Sequence, residues 1–168
     1  MSLYSDLDRL SKENLRAFRR AQKETFAVMN HFYERIKVVM EIPEGSIEWL
    51  PFKQTTEPVD LREQDRLWKH RMYLHDDGRF ESAFTLALSG LTIQFSIYIQ
   101  RFARTEYQVW LTEEITDTIT TDYVGMDELI HKLTKELEED VGDYYINMLQ
   151  GRPHKVGLGF APPKNLAD

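Results

Sequence analysis

This sequence predicts an α+β fold: a long N-terminal helix and a C-terminal helix packed on one face of a four- to five-stranded antiparallel β-meander. Three patterns carry that reading. Large apolar residues alternate with a period of two through most of the run from Arg79 to Thr112. They recur at spacings of three and four between Leu7 and Met40, and again between Met126 and Met148.

In chain order, Ser5 or Asp6 is suited to cap a helix carrying Leu7, Leu10, Phe18, Ala21, Val28, Met29, Phe32, Ile36, Val39 and Met40 on one broad face. Neither Pro nor Gly interrupts it before Pro43. About 36 residues of helix would span roughly 54 Å at 1.5 Å per residue, against about 40 Å for a compact body of this size. The helix therefore either bends, near Asn14 or Thr25, or projects and needs a partner. Persistence of the apolar stripe along the whole length favours a partner, most simply a second copy in a symmetric homodimer.

Pro43-Glu44-Gly45 ends the helix and opens a connection in which Ile47, Trp49, Leu50 and Phe52 read as a satellite of the core. Asp60-Leu61-Arg62-Glu63 has the capping-box pattern of a short helix leading into a strand at Leu67, with a helix continuing to Leu74 as the competing reading.

The meander can be registered residue by residue. Phe80, Phe84, Leu86 and Leu88 fall on even numbers, whereas Leu91, Ile93, Phe95, Ile97 and Ile99 fall on odd numbers. A two-residue turn at Ser89-Gly90 accounts for the flip and sets Leu88 opposite Leu91, Phe84 opposite Phe95 and Phe80 opposite Ile99. Before this hairpin, a three-residue Asp76-Asp77-Gly78 loop sets His70 opposite Phe84 and Trp68 opposite Leu86. After it, keeping Tyr107, Val109 and Leu111 on the core side requires a bulge or odd loop within Phe102–Thr105. Ile115–Thr121 reads as a short edge strand. The last helix stops at Gly151 and Pro153, with Gly142 as a candidate bend, and residues 152–168 read as an extended tail on a single domain spanning 1–151.

Composition narrows the functional classes. With no cysteine, disulfides, thiol chemistry and Cys-ligated zinc are excluded, which fits a cytoplasmic setting. No basic leader with an apolar run and no membrane-length apolar stretch is found, so no membrane association is expected. The net charge of −7 argues against nucleic acid. It is unevenly spread: residues 1–40 hold eight Lys or Arg against five Asp or Glu, and residues 113–143 hold eleven acids against Lys132 and Lys135. Arg16, Arg19, Arg20 and Lys23 share one helix surface.

No phosphate-binding Gly-rich loop, nucleophile elbow or His-Glu-x-x-His motif is present. The densest group of acid-base or metal-ligand types is His70, His75, Asp76 and Asp77. In a strand, positions 70 and 75 point to opposite faces, and two aspartates before Gly78 are what a type I turn favours locally. The second face of the sheet is expected to gather Gln94, Tyr98, Gln100, Gln108 and Trp110, aromatic and amide groups suited to a contact surface. The expectation is a non-enzymatic protein-binding module, homodimeric and without a cofactor or metal. It would bind through the long helix, the Tyr/Trp/Gln face or the acidic C-terminal surface. The alternative is a small-molecule-binding protein or hydrolase with a His/Asp site around His70–Asp77.

Overall fold

The computed structural model describes residues 2–52, 71–89, 91–112 and 116–151. In chain order these form α1 (Leu3–Val39), β1 (Ile47–Trp49), β2 (Tyr73–Leu74), β3 (Phe80–Leu88), β4 (Leu91–Ala103), β5 (Glu106–Trp110), β6 (Thr116–Thr120) and α2 (Met126–Leu149). The expected α+β architecture is present, with six strands among the described residues rather than four or five. Strand order is β1-β3-β4-β5-β6, every pair is antiparallel, and β2 shares with β1 the outer edge of β3.

The central hairpin has the register read from parity at every position, from Phe80 opposite Ile99 to Leu88 opposite Leu91. The β4–β5 pair also follows expectation. Ile99 faces Val109 and Arg101 faces Tyr107, then a bulge at Phe102 shifts the register so that Ala103 faces Glu106. Phe102, the extra residue, points to solvent.

Two readings need correction. On the edge of β3 where His70 and Trp68 were expected, Phe84 and Leu86 pair with Trp49 and Ile47, so these two of the supposed satellite residues belong to an edge strand. Their side chains join the main core: the Trp49 ring stacks on Phe26 at 5.4 Å and lies 5.5 Å from Phe84, and its Nε1 donates to the Arg71 carbonyl at 2.7 Å. The expected strand before the hairpin pairs only at Tyr73 with Glu81 and Leu74 with Phe80, in the register the three-residue loop requires. The expected short helix at 60–63, the strand start at Leu67, His70 itself and the tail at 152–168 lie outside the described residues. The second correction concerns the last helix: α2 runs through Gly142 without interruption. In α1 the helix runs continuously past Asn14 and Thr25, as the favoured reading has it. The cap of α1 is Ser2, whose hydroxyl accepts from the Ser5 amide, one turn earlier than expected.

The core lies between the sheet and the two helices. From α1 it takes Val28, Met29, Phe32 and Ile36, and from α2 Met126, Leu129, Ile130, Leu133 and Leu137. These meet Phe84, Phe95, Ile97, Ile99, Tyr107 and Val109 of the sheet. The helices are pinned to each other by a bidentate Arg35–Asp127 pair, both bonds 2.7 Å, and α1 is tied to the turn before α2 by His31 stacked on Tyr123 at 3.8 Å. Near the middle of α1, Glu24 is held by the guanidinium of Arg101, which also donates to the carbonyls of Ala103 and Arg104.

Candidate functional site

Two regions stand out, one on the second face of the sheet and one on α1. The first is built by the β2–β3 hairpin. Its Asp76-Asp77-Gly78 loop closes through His75 N–H to Arg79 O at 2.9 Å and Gly78 N–H to His75 O at 3.0 Å, with Gly78 at φ +85°. Asp77 accepts from the Arg79 amide at 3.1 Å and from its Nε at 2.8 Å. The Arg79 hydrogen bond holds the Asp77 carboxyl below its usual range.

Tyr73 opposite Glu81 and His75 opposite Arg79 put these residues on the face away from the helices, the face that Tyr98 and Trp110 share. His75 Nε2 lies 2.8 Å from Glu81 Oε2, and Tyr98 stands directly opposite Glu81 on the neighbouring strand. The Glu81 side chain is only 6 % exposed, so these contacts hold a buried acid. Burial first, and then the Glu81 charge, push the Tyr98 phenol up to about 12, which keeps it a neutral donor. The Arg79 guanidinium lies over the Tyr98 ring at 5.2 Å and the Trp110 ring at 5.5 Å.

The two groups of candidates singled out in the sequence therefore meet in part. His75 joins Tyr98 and Trp110, whereas Asp76 points to solvent and Asp77 is tied to Arg79. Gln100 donates to the Asp77 carbonyl at 3.1 Å and sits opposite Gln108, while Gln94 sits opposite Thr85; all three glutamines are half-buried. Sequence reasoning missed Glu81 and Arg79 as members. The signal was available, since the three-residue loop that fixes the register also puts His75 diagonal to Glu81 on one face. The face is also less open than expected, with Glu81, Ala83 and Ser96 buried. Among the described residues, no group of three His, Asp or Glu side chains is placed to hold a metal ion.

The second region is the first half of α1. At 37 residues the helix is roughly 55 Å long. Its buried residues are Gln22, Thr25, Val28, Met29, Phe32 and Ile36. Stepping back from Gln22 by the same three-four spacing reaches Phe18, Asn14, Ser11, Leu7 and Tyr4, flanked by Leu3, Leu10 and Leu15. This is the same stripe, now uncovered: Leu3 is 77 %, Tyr4 79 % and Leu7 57 % exposed, and Leu10, Leu15 and Phe18 are exposed as well. Where the helix reaches the body, a cleft of about 500 Å³ opens, with Phe18, Ala21, Leu74 and Phe80 among its walls.

No protein-family model, no curated protein and no solved structure matches this chain.

Proposed function

We propose that this chain is a non-enzymatic protein-binding module that acts as a homodimer. Its first five or so turns of α1 form the self-association surface, and the Tyr98/Trp110 face and the acidic surface of α2 are left for a partner protein. The observation that carries the reading is the exposed apolar stripe of α1, which continues the face that the same helix buries against the sheet. An apolar stripe of this extent on a helix held rigidly by the Arg101 and Arg35 anchors is costly to leave in water. Light scattering tests it. Wild type should have twice the chain mass, and Leu7→Glu with Phe18→Glu should have the single mass with its unfolding midpoint retained. A monomeric wild type overturns the reading.

One observation favours a second reading, a small-molecule or hydrolytic site: the His75–Glu81 pair, with His75 also on the wall of the cleft beside α1. Hydrolysis of a simple activated ester, lost in a folded His75→Ala variant, would support it. Equal rates in variant and wild type would remove it.

A further inference from the structure

Resting on the homodimer reading, we infer that the projecting halves of α1 from two copies pair antiparallel about a two-fold axis near residue 12, and that each helix seats its first turn in the cleft of the other copy. The direction follows from what shares the stripe. From Gln22 onward this face lies against the sheet of its own chain. A parallel partner helix lying on residues 3–18 would run, past its own Ala21, into the space that sheet occupies. An antiparallel partner instead ends at Leu3, its first helical residue, where the sheet begins.

Side-chain sizes and charges fit the same axis. In a heptad with Leu7, Asn14 and Ala21 on one seam line and Leu3, Leu10 and Ala17 on the other, antiparallel layers pair Leu3 with Ala21, Leu7 with Ala17 and Leu10 with Asn14 of the second copy. In two of the three layers a large side chain therefore meets a small one, and the polar Asn14 falls beside the axis. On one flank Asp6 meets Arg20 of the other copy, twice by symmetry, and on the other Tyr4 meets Phe18. The two Glu13 carboxylates that approach at the axis each carry their own Arg9, 3.2 Å away. A parallel pairing of the same heptad would set Asp6 against Ser11 and Glu13 against Phe18, with no opposite charges across the seam.

The cleft supplies a further fit. Leu3 and Tyr4 of one copy arrive beside Ala21 and Phe18 of the other, which line the cleft together with Leu74, Phe80 and polar groups that include His75 and Gln100. Leu3 and Tyr4, the two most exposed apolar side chains of the helix, would thus be covered, along with the exposed Leu74.

The full chain has no cysteine, so a cross-link can be placed at will. Leu3→Cys and Ala21→Cys proteins, made separately and checked for wild-type circular dichroism and dimer mass, are mixed and oxidised. The expected result is a disulfide-linked dimer from the mixture and none from either protein alone, because residues 3 and 21 of one helix are about 27 Å apart and each meets the other only across the axis. Self-linking of each single variant would show a parallel pair and overturn the inference. So would a dimeric mass with no cross-link in any sample. A monomeric mass for the wild type would instead overturn the homodimer reading itself.

Discussion

Glu81 is a carboxylate with 6 % of its side chain exposed, and His75 is its ring partner at 2.8 Å. His75→Ala removes the ring donor and leaves the acid to whatever water enters. A hydrogen bond to a charged group is worth about 1.5–3 kcal/mol. Because about a third of the His75 side chain faces solvent, water replaces part of it, and the expected loss is about 1–2 kcal/mol. For a chain of this size that lowers the midpoint of thermal unfolding by roughly 2–8 °C. Urea unfolding followed by circular dichroism, at neutral pH and with the slope unchanged, measures it. In a Glu81→Gln background the same His75→Ala change should cost about 1 kcal/mol less, since the charged acceptor is gone. Additive effects of the two substitutions would refute a working His75–Glu81 contact, and with it the argument that this face is locked by a buried acid.

Other outcomes follow from single contacts. Trp49→Ala removes a buried ring stacked on Phe26 and tilted against Phe84 and is expected to cost about 3–5 kcal/mol; a loss below about 1 kcal/mol would return residues 47–49 to a loosely packed loop. Spectrophotometric titration of the phenols should find a tyrosine ionising near 12 that disappears in Tyr98→Phe, and no change on substitution would show that the phenol is not buried beside the Glu81 charge. The hydrogen bond from Arg35 holds the Asp127 carboxyl below its usual value, so its contribution is present above the unfolded carboxylate pKa of about 4 and is lost as pH falls through the lowered folded value. The difference in unfolding midpoint between wild type and Arg35→Ala should therefore be full at neutral pH and close in acid; a difference that does not vary with pH would contradict the pair.

Parity made the centre of the sheet legible. Nine consecutive pairs between β3 and β4 follow from one turn position, because a slip of one residue would have turned Phe84, Phe95 and their neighbours to the wrong face. That a bulge or odd loop falls within residues 102–105 was legible for the same reason, since one or the other is needed to keep Tyr107 and Val109 with Ile99; the structure puts a bulge at Phe102. The edge of β3 was not. Ile47-Glu48-Trp49 offers a single apolar-polar-apolar cycle, too short to separate from a loop, whereas the longer run ending at Leu74 looked like the better strand. The start of α1 was off by one turn because Ser2 and Ser5 are chemically equal caps, and only the structure distinguishes them. Of the candidate site, the Tyr98–Trp110 pairing could be reached from alternation, but a buried Glu81 could not, since nothing local marks which polar position of a strand is covered.

Hydrogen exchange along α1 over a dilution series is the most direct test that its first half is a protein-binding surface occupied by a second copy. An isolated projecting stretch of about 19 residues is near the length at which a helix is marginal in water, so its amides report whether it is covered. Protection of residues 6–20 that is strong at high concentration and fades on dilution, while residues 25–36 stay protected throughout, is the expected result. Amides 6–20 that exchange freely at every concentration would mean that no second copy covers the stripe, and the account of this chain as a self-associating module would fall.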